Sequence, residues 1–384
     1  MGEHGGKKYL AWALLPTRWW KNRLGIHAGR CQLLAADAGR ILHVVDRVDG
    51  GVPKAVRSYI ENSPTEFTHV VLSPFQEGRP APVWHGLDVE HHDLGTGLFN
   101  RIAAVGTTVR ALMPQVVHAH SSFSGLYTRA RTIPAPVVYE PHCFKHDDPH
   151  TSSVKRAVYR GVEKALARRT WKFGTLTSHE EKLVRALRPA ATCVAIPNLP
   201  TVATRSTTHD ALDRQETPVI SMVGRIARQK DPAFFLDVAA ALRARVPSVG
   251  FQWIGDGEPE LRRQLEQAGI VVTGWLDNME VAGALAASTV YMHSAAYEGF
   301  PLSILDAAAQ GVPIAARSIN ALEDSGLLQA ADAEGVARLV AAILDDAGTR
   351  ELALEANRTL LARMNRSTLH TALRDLYDLK GPER

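Results

Sequence analysis

The fold of this chain is constrained most by an alternation of short β-rich runs with helix-length segments, which occurs twice along the sequence. The β-rich runs of the first half are "RILHVVD", "THVVLSPF", "LDVEHHDL", "QVVHAH", "PVVYEPH", "FGTLTS" and "CVAIPN". After the apolar-poor segment "LPTVATRSTTHDALDRQETP", they resume as "VISMVG", "GFQWIGDG", "VVTG", "TVYMHSA" and "PIAA". Such βαβα order predicts a parallel sheet with helices on both of its faces. The sequence therefore predicts an α/β chain with two doubly wound, Rossmann-like domains.

The domain boundaries follow from this alternation. We predict an N-terminal extension over residues 1–40, a first domain over 41–197, a linker over 198–217, a second domain over 218–365 and a C-terminal segment over 366–384. We expect the helical stretch of that last segment to pack back on the first domain. The 384 residues, 45% of them hydrophobic, suffice for two cores. Because ligands of doubly wound sheets bind beyond the carboxyl ends of the strands, two facing domains predict a ligand-binding cleft between them.

Composition and missing motifs argue against several classes of protein. Cys31, Cys143 and Cys193 lie far apart and form no CxxC pair. This argues against a disulfide framework or a zinc site and favours a reducing compartment. No apolar run approaches the roughly 20 residues that span a bilayer, so we expect a cytoplasmic protein. No GxGxxG loop follows a strand and no P-loop is present, which disfavours nicotinamide, flavin and Walker-type enzymes.

The segment "VGRIARQKDP" has the features of an anion-binding turn. Gly224 ends a predicted strand and allows a tight turn, after which Arg225 and Lys230 flank the end of that strand. Asp231 and Pro232 fit the cap and the first residue of a helix, which places Lys230 at the positive end of that helix. Two cations beside free backbone N–H groups suit a diphosphate. The alternative is a surface turn with solvated charges.

The segment "SAAYEGFPLSILDAAAQG" carries two carboxylates at the beginning of an apolar helix. Pro301 fits the first helical position, and Glu298 in the preceding turn can accept hydrogen bonds from hydroxyl groups. The N–H groups of Gly299 and Phe300 are expected to be free to reach a ligand. Asp306 follows more than one turn later, so the two carboxylates could contact two polyhydroxylated parts of one ligand, a sugar and a ribose. The alternative is a carboxylate at the helix entry and a structural aspartate.

Together these segments resemble the retaining nucleotide-sugar glycosyltransferases of the GT-B fold, the large family four group (glycosyl transferases group 1). The C-terminal signature of that family is a strand ending in GR, a Lys a few residues later, then E-G-F-G-L-x-x-L-E-A and G-x-P-V. The corresponding motifs here are Gly224-Arg225, Lys230, "EGFPLSILDA" and "GVPI". The first half resembles the family through "DGGVPKAV", "VVHAHSSFSG", "YEPHCF", "TSHEEK" and "IPN". The resemblance covers most of the chain and implies two domains facing across a cleft.

The resemblance implies roles for residues of the second domain. Arg225 and Lys230 would neutralise the donor diphosphate as the glycosidic bond breaks. Glu298 would hold hydroxyl groups of the donor sugar, beside the backbone of residues 299–301. Asp306 occupies the position of a family Glu that binds ribose hydroxyls.

For the first domain, the resemblance implies that His120 approaches the sugar, and that Gly50 and Gly51 let the backbone come close to phosphate or acceptor. Chemistry in this family is described as front-face substitution with retained configuration. In it a donor phosphate oxygen accepts the proton of the acceptor, so no enzymic base is required. Glu140 remains a possible base, as do Asp147 and Asp148.

Three positions depart from the family signature. Asp306 is one methylene shorter than the family Glu. Pro301 replaces a Gly and lacks its N–H. After "PIAARSINALEDSGLL" the usual Gly-Gly-x-x-Glu loop is not recognisable, so contacts with the donor sugar are expected to differ there.

The histidines of the first domain leave alternatives open. His118 and His120 alternate along one strand and are assigned to opposite faces, so that one of them faces the cleft and the other packs in the core. His142, at a strand end, has a cleft role or a structural one, and with Glu140 it is a possible acceptor-site residue. We predict no metal site, since the spacing of a known metal motif is missing.

The first half of the chain is basic, with 26 Lys and Arg against 16 Asp and Glu up to Pro197, whereas the remainder has 18 against 24. A predicted helix in it, "VKRAVYRGVEKALARRTWK", carries an apolar stripe of Val154, Ala157, Val158, Gly161, Val162 and Ala165. Its other face carries Lys155, Arg156, Arg160, Lys164, Arg168, Arg169 and Lys172. The stripe packs on the core, or the helix docks on anionic lipid. With the tryptophan-rich "WALLPTRWWKNR", it predicts contact with an anionic membrane surface, and no nucleic-acid motif accompanies it.

The sequence thus predicts a metal-independent, retaining glycosyltransferase whose co-substrate is a nucleotide-diphosphate sugar, UDP- or GDP-linked, with no other cofactor. The expected acceptor is a glycan or a lipid-linked intermediate of bacterial-type polysaccharide or glycolipid synthesis. The expected location is cytoplasmic, at the inner face of the cytoplasmic membrane. Two alternatives stay open. One is a sugar-nucleotide epimerase, which needs carboxylates and histidines clustered in the cleft, and the other is a non-catalytic sugar-nucleotide-binding or scaffold protein.

Overall fold

The computed structural model describes residues 39–205 and 217–379. The predicted N-terminal extension up to residue 38 lies outside the described residues, and with it Cys31 and "WALLPTRWWKNR". So do residues 206–216 of the predicted linker and residues 380–384.

The first half contains the seven predicted strands. They are β1 (Gly39–Val45), β2 (Phe67–Ser73), β3 (Glu90–Asp93), β4 (Val116–His120), β5 (Val137–Glu140), β6 (Lys172–Thr175) and β7 (Cys193–Ala195). The helices are α1 (Gly51–Glu61), α2 (Leu98–Leu112), α3 (Ser122–Arg129), α4 (Ser153–Leu166) and α5 (Ser178–Leu187). The sequence did not predict α1, α3 and α5, because they begin within the glycine-, serine- and threonine-rich segments that follow strands.

The second half repeats this plan. Its strands are β8 (Val219–Val223), β9 (Gly250–Ile254), β10 (Val271–Val272), β11 (Val290–His293), β12 (Ile314–Arg317) and β13 (Leu328–Ala330). Its helices are α6 (Pro232–Arg243), α7 (Pro259–Gln267), α8 (Asn278–Ala286), α9 (Leu302–Ala309), α10 (Ala333–Asp345), α11 (Ala347–Arg363) and α12 (Arg366–Tyr377). The short edge strand β13 was not predicted.

The two sheets have the same topology. The first has the order β3-β2-β1-β4-β5-β6-β7 and the second the order β10-β9-β8-β11-β12-β13. The strand pairs within each sheet are parallel. The order reverses between β1 and β4 and between β8 and β11, and such switch points are where doubly wound sheets bind ligands. The predicted pair of Rossmann-like domains is confirmed.

The C-terminal helix α12 packs on the first sheet rather than the second. Leu369, Leu373 and Tyr377 share a buried cluster with Ile41 and Val116. Their burial removes apolar side chains from water, which is the main favourable term in packing. The chain therefore returns to the first domain after completing the second.

Helix α4 contradicts the core-packed alternative for its apolar stripe. Val154, Val158 and Val162 are 73%, 59% and 41% exposed. The buried residue of α4 is Glu163, which accepts hydrogen bonds from the buried Arg129 at 2.9 Å and from a tyrosine hydroxyl at 2.8 Å. A buried guanidinium needs a carboxylate partner, so α4 turns its acidic residue inward and its apolar residues outward.

Lys172, which was assigned to the basic face of that helix, lies on β6 instead. Its Nζ donates to two backbone carbonyls at the C-terminal end of α12, those of Asp375 at 2.5 Å and Asp378 at 3.0 Å. None of the helices in residues 39–205 and 217–379 is long and apolar enough to cross a membrane.

Candidate active site

The loop after β8 lays a lysine side chain over a glycine. Gly224 has φ 150°, and a Cβ at this position would lie 2.8 Å from Lys230 Cε. Asp231 caps α6 by accepting a hydrogen bond from the N–H of Phe234 at 3.2 Å, and Pro232 is the first residue of that helix. The predicted cap is confirmed, and Lys230 lies at the positive end of α6.

Lys230 and Glu298, 68 positions apart, form an ion pair. Lys230 Nζ donates to Glu298 Oε1 at 2.5 Å, and Gln229 Nε2 donates to Glu298 Oε2 at 3.2 Å. The two charged side chains are 17% and 11% exposed. Both side chains keep a small exposed fraction, and their charges suit a phosphate and sugar hydroxyls.

The turn before α9 is held against the first domain. A Cβ on Gly299 would lie 3.0 Å from the carbonyl carbon of His142 and 3.1 Å from the nitrogen of Cys143. The carbonyl of Phe300 accepts a hydrogen bond from Asn198 Nδ2 at 3.0 Å. Pro301 is extended and precedes the helix, which begins one residue later than predicted. The close approach of the two domains therefore favours glycine at this position.

Arg225 lies at the domain boundary and is 45% exposed. Its Nη1 lies 3.4 Å from Asp49 Oδ2 of the first domain. Asp49 is also gripped by Arg47, whose Nε and Nη2 donate to its two oxygens at 3.1 and 2.8 Å. Arg225, which is predicted to bind phosphate, thus lies beside Asp49, and Asp49 is also paired with Arg47.

Gly50 and Gly51 form the start of α1, beside the start of α9. Gly50 has φ 86°, which only glycine adopts readily, and its side-chain position faces open space. A Cβ on Gly51 would lie 3.7 Å from Leu302 Cδ1, at the first turn of α9. The positive ends of two helices, one from each domain, therefore lie close together.

Asp306 does not face the cleft as a free acceptor. It is buried, and its Oδ1 accepts from the N–H of Thr201 at 2.5 Å and of Val202 at 3.3 Å. Its Oδ2 accepts from the Thr201 hydroxyl at 2.9 Å. Burial raises the pKa of this carboxyl. In this structure both oxygens hold the beginning of the linker, and the ribose contact expected from the resemblance stays a prediction.

His120 is fully buried and does not reach the surface of the cleft. Its Nε2 lies 2.9 Å from His43 Nδ1, and its Nδ1 lies 3.1 Å from His142 Nε2. His43 continues the chain to His69, with 2.9 Å between Nε2 and Nδ1. His142 therefore stands between His120 and the turn at Gly299, and the expected approach of His120 to a sugar is not what the described side chains show.

The assignment of His118 and His120 to opposite faces is wrong. Their ring centroids are 3.8 Å apart on one face of the sheet, since residues two apart along a strand lie on the same face. Burial lowers the pKa of His118 to about 3 and holds that of His120 well below its usual value. Both rings are neutral at pH 7.

Glu140 lies in the core rather than in the cleft. Its Oε1 accepts from the Tyr59 hydroxyl at 2.8 Å, and its Oε2 lies 3.3 Å from His118 Nε2. Burial raises the pKa of Glu140. The carboxyl is fully buried in this conformation, so it is not exposed to an acceptor here, and its role as a base or acceptor ligand stays a prediction.

The described residues contain two groups whose side-chain atoms could converge on a metal ion. One is His43, His118 and His120, and the other is His120, Glu140 and His142. Sequence spacing missed both because they assemble from different strands. Both ring nitrogens of His43 and of His120 hydrogen-bond to neighbouring histidines. His118 Nε2 and Glu140 Oε2, by contrast, are buried without a hydrogen-bond partner among the described residues.

Asp147 and Asp148 are engaged by neighbours. Asp147 Oδ2 lies 2.8 Å from His179 Nε2. Asp148 accepts from the N–H of His150 at 2.8 Å and from the hydroxyl of Thr151 at 3.0 Å. Asp147 thus ties the loop between β5 and α4 to α5, whereas Asp148 bonds within that loop.

The segment without a recognisable family loop also meets the first domain. Lys182 Nζ pairs with Glu323 Oε2 at 3.0 Å, and Ser178 hydrogen-bonds Asp324. Sequence reasoning missed these contacts and those of Arg47 and Asp49. The signal for the latter was the charged sequence "DRVDGG" at the end of β1.

The arrangement can bind a diphosphate and a sugar. Arg225, Lys230 and the first turns of α1 and α9 provide positive potential for phosphate oxygens. Glu298 provides an acceptor for sugar hydroxyls next to that potential. The sequence-predicted residues of the second domain, apart from Asp306, are brought together, whereas the polar residues of the first domain lie buried behind them.

Two family models match the chain. Residues 50–199 match the glycosyl transferase 4-like domain, and residues 217–346 match the glycosyl transferases group 1. An uncharacterized 41.2 kDa protein of the cps region of Klebsiella pneumoniae is 24% identical over 298 residues, or 74% of this chain and 82% of the relative. An Escherichia coli UDP-Gal:alpha-D-GlcNAc-diphosphoundecaprenol alpha-1,3-galactosyltransferase is 28% identical over 227 residues, or 53% of this chain and 58% of the relative.

Solved structures share the fold. Sucrose-phosphate synthase of Thermosynechococcus elongatus aligns with a TM-score of 0.74 and 18% identity, covering 88% of this chain and 98% of that one. HepE of Anabaena, in complex with UDP-glucose, aligns with a TM-score of 0.72 and 14% identity over 87% and 98% of the two chains. With both halves matched by glycosyltransferase models and two Rossmann-like domains of the GT-B type, this chain belongs to the group 1 glycosyltransferases.

Proposed function

We propose that this glycosyltransferase transfers a sugar from a nucleotide-diphosphate sugar with retention of configuration and without a metal ion. The observation that carries the proposal is the ion pair of Lys230 with Glu298, within the segments that hold Arg225 and the start of α9. The lysine and arginine meet the charge that develops on the departing diphosphate. The Glu298 carboxylate accepts hydrogen bonds from the hydroxyls of the donor sugar, which is the group transferred from the diphosphate.

Cations without a metal can stabilise such a leaving group. Fixed donors aimed at developing charge act strongly in a site with little water, and removing one typically costs about 10²–10³ in kcat. The candidate bases are engaged elsewhere, since Asp147 and Asp148 accept hydrogen bonds from neighbouring residues and Glu140 is buried. This supports a step in which a phosphate oxygen of the donor accepts the acceptor proton while the new bond forms on the same face.

The proposed donor carries UDP or GDP. The Anabaena HepE structures contain UDP-glucose or UDP, and the Escherichia coli relative is named for UDP-Gal. A relative in Mycolicibacterium smegmatis, 30% identical over 152 residues, is a GDP-mannose-dependent mannosyltransferase. These names support a nucleoside-diphosphate sugar and leave both bases to be tested.

The proposed acceptor is a glycan or a lipid-linked intermediate of bacterial-type polysaccharide or glycolipid synthesis. The Klebsiella pneumoniae relative belongs to a cps region, and the Escherichia coli relative acts on a sugar diphosphoundecaprenol. We place the protein at the inner face of the cytoplasmic membrane, where such an acceptor would meet a soluble sugar nucleotide.

Helix α4 is the proposed membrane contact. Its exposed apolar side chains include Val154, Val158, Tyr159 and Val162. The exposed cations around them are Lys155, Arg156, Arg160, Lys164, Arg168 and Arg169. Each cation near an anionic surface contributes about 1 kcal/mol, and the apolar stripe fits the interface of the bilayer.

The donor site is tested by calorimetric titration of the full chain with UDP, GDP, ADP and their sugars. We expect one nucleotide to bind, Arg225→Ala to abolish binding and Glu298→Gln to weaken the sugar nucleotides more than the free nucleotides. Turnover with that donor in the presence of EDTA, followed by NMR of the product anomer, tests metal independence and retention. A protein that binds none of these ligands, or a product of inverted configuration, would contradict the proposal.

The membrane contact is tested by co-sedimentation with vesicles. We expect stronger binding to anionic than to neutral lipid, and loss of binding in Val158→Ser/Val162→Ser. Leu352→Ser is the matched control, since Leu352 on α11 is 64% exposed and apolar. Equal binding to both lipids, or equal loss in the control, would overturn the proposal for α4.

A further inference from the structure

Two arginines, one from each domain, share a single carboxylate in this molecule. Arg47 grips Asp49 with two parallel hydrogen bonds, and Arg225 approaches the same aspartate from the second domain at 3.4 Å. The three side chains are 55%, 59% and 45% exposed in that order. The hydrogen bond from Arg47 is the main cause that lowers the pKa of Asp49. The aspartate is therefore ionised, and one positive charge of the group is left without a partner within it.

The planar guanidinium of arginine presents the same two N–H groups to a carboxylate and to a phosphate. Asp49 thus occupies a place that a phosphate oxygen would fill. Exposed ion pairs contribute little to stability, so displacing the aspartate costs little. A group with two negative charges matches two arginines better than one carboxylate does.

The backbone next to Asp49 also suits an anion. Gly50 is the N-cap of α1 and provides no side-chain capping bond, and the space at its side-chain position is open. Gly51 lies against the first residue of α9. The two arginines, the start of α1 and the start of α9 therefore face one region between the domains.

We propose that Arg47 is a further diphosphate-binding residue of this site and that Asp49 is a displaceable stand-in for the diphosphate of the sugar nucleotide. The inference rests on the proposed function and adds a contact from the first domain to those of Arg225 and Lys230. When the donor binds, its diphosphate takes the N–H groups that Asp49 holds, and Asp49 turns to solvent. The donor then connects both domains through its phosphates.

The test is calorimetric titration of the full chain with UDP, GDP and UMP. We expect Arg47→Gln to weaken binding of the nucleoside diphosphate by about tenfold or more, the loss typical of a charge-assisted hydrogen bond, and to change UMP binding less. We expect Asp49→Asn to tighten binding of the diphosphate severalfold. When Asp49→Asn is introduced into Arg47→Gln, we expect a smaller gain in affinity, because Arg47 is already absent and Asp49 has no arginine there to compete for.

Matched controls come from helix α11. Arg358 is 56% exposed and pairs with Glu351 and Glu355. Arg358→Gln and Glu355→Gln repeat the two charge changes on an exposed ion pair of the second domain and are expected to leave nucleotide binding unchanged. Arg47→Lys keeps the charge but loses the fork, so an intermediate affinity is expected.

Farnesyl diphosphate tests whether the anion belongs to the donor or to a lipid-linked acceptor. If Arg47→Gln weakens the binding of farnesyl diphosphate but not that of UDP or GDP, the assignment of Arg47 to the donor diphosphate is overturned. If the wild-type chain binds a nucleoside diphosphate and Arg47→Gln and Asp49→Asn leave its affinity unchanged, the inference fails while the proposed function stands. If Asp49→Asn raises the affinity for the nucleoside diphosphate equally in the wild-type chain and in Arg47→Gln, Asp49 does not act as a stand-in for phosphate at Arg47. If the wild-type chain binds no nucleoside diphosphate, both fail.

Discussion

The two domains place their polar side chains in opposite ways. In the second domain, Lys230 and Glu298 remain partly exposed as an ion pair. In the first, His43, His120 and Glu140 are fully buried and hydrogen-bond to neighbouring histidines or tyrosine. The second domain thus keeps a charged pair where a charged ligand is expected to bind, whereas the histidines of the first domain lie buried with lowered pKa values.

This difference indicates that the two polar groups contribute to different properties. In a mostly buried ion pair such as Lys230 with Glu298, the cost of desolvation offsets much of the attraction, but the pair can contribute strongly to the stabilisation of a transition state. A buried hydrogen-bond network matters more for folding than for catalysis, because each unpaired or newly charged group in it destabilises the fold. Substitutions in the ion pair of the second domain should therefore change activity. Protonation of the buried histidines of the first domain should change stability.

The largest expected effect is loss of stability in acid. Burial lowers the pKa of His69 to about 4 and that of His118 to about 3, whereas both are about 6.5 when unfolded. The unfolded chain therefore binds more protons below pH 6.5, and stability falls as the pH falls. Below pH 6.5, each histidine lowers the free energy of unfolding by about 1.4 kcal/mol for each unit that the pH falls, until the pH reaches its folded pKa. Burial raises the pKa of Glu180 to about 7 and also raises the pKa values of Glu140 and Asp306, which act with the opposite sign. The histidines with lowered pKa values outnumber these carboxyls and include His43, His69, His118, His120 and His142.

Urea unfolding at pH 7, 6 and 5 measures this slope. His69→Gln should make the loss of stability between pH 6.5 and 4 less steep, whereas His85→Gln, at an exposed position, should leave it unchanged. A stability that stays constant from pH 7 to 5 would show that the histidines of the first domain are not buried as neutral rings in solution.

Lys230→Met should lower kcat by about 10²–10³, because it removes one positive group from the departing diphosphate and leaves Glu298 without its partner. Steady-state kinetics with the donor identified by calorimetry measure the loss. Lys182→Met is the control, since Lys182 forms an exposed pair with Glu323 elsewhere between the domains. If both variants lose activity equally, the effect comes from domain contact and not from the diphosphate.

Asp306→Ala should lower the free energy of unfolding by about 1–3 kcal/mol, because it leaves the buried N–H groups of Thr201 and Val202 without an acceptor. Urea unfolding measures this change, and titration with the bound nucleotide shows whether its affinity changes. A large loss of nucleotide affinity with unchanged stability would instead restore the ribose contact expected from the family resemblance. Asp231→Ala, which removes the N-cap of α6, is a comparison for the loss of a carboxylate that accepts a backbone N–H.

The sequence predicted the strands well because their β-branched runs are local and bounded by turns. It also predicted where Lys230 and Glu298 lie in the fold, since each follows the end of a strand and precedes a helix. For Asp306 it left the structural alternative open, and that alternative is the one observed. Deciding it required knowing that the linker returns to this residue, which no local pattern shows.

The first domain was harder to predict because its contacts cross between strands. The histidine chain joins residues of β1, β2 and β4, whose register the sequence does not specify. Helix α4 has an amphipathic pattern that indicates a packed stripe, but the buried Arg129 draws Glu163 inward instead. A pattern of hydrophobicity could not reveal the requirement of one buried charge for another.

The smallest effect is expected where the two domains touch. A Cβ on Gly299 would lie about as close to the backbone at His142 and Cys143 as atoms tolerate, so Gly299→Ala should force the two loops apart by a few tenths of an ångström. We expect a loss of about 1–2 kcal/mol of stability, as for other overpacked sites, together with a reduced affinity for the donor.

Gly283→Ala is the matched control for that change. Gly283 lies within α8, and a Cβ there meets nothing within 4 Å. Alanine in a helix interior is favoured over glycine by roughly 0.5–1 kcal/mol, so this variant should gain stability while Gly299→Ala loses it. Equal behaviour of the two would mean that the domains do not meet at Gly299 in solution. The partly exposed ion pair of the second domain and the buried histidines of the first would then act independently, because the turn after Glu298 is what presses against His142.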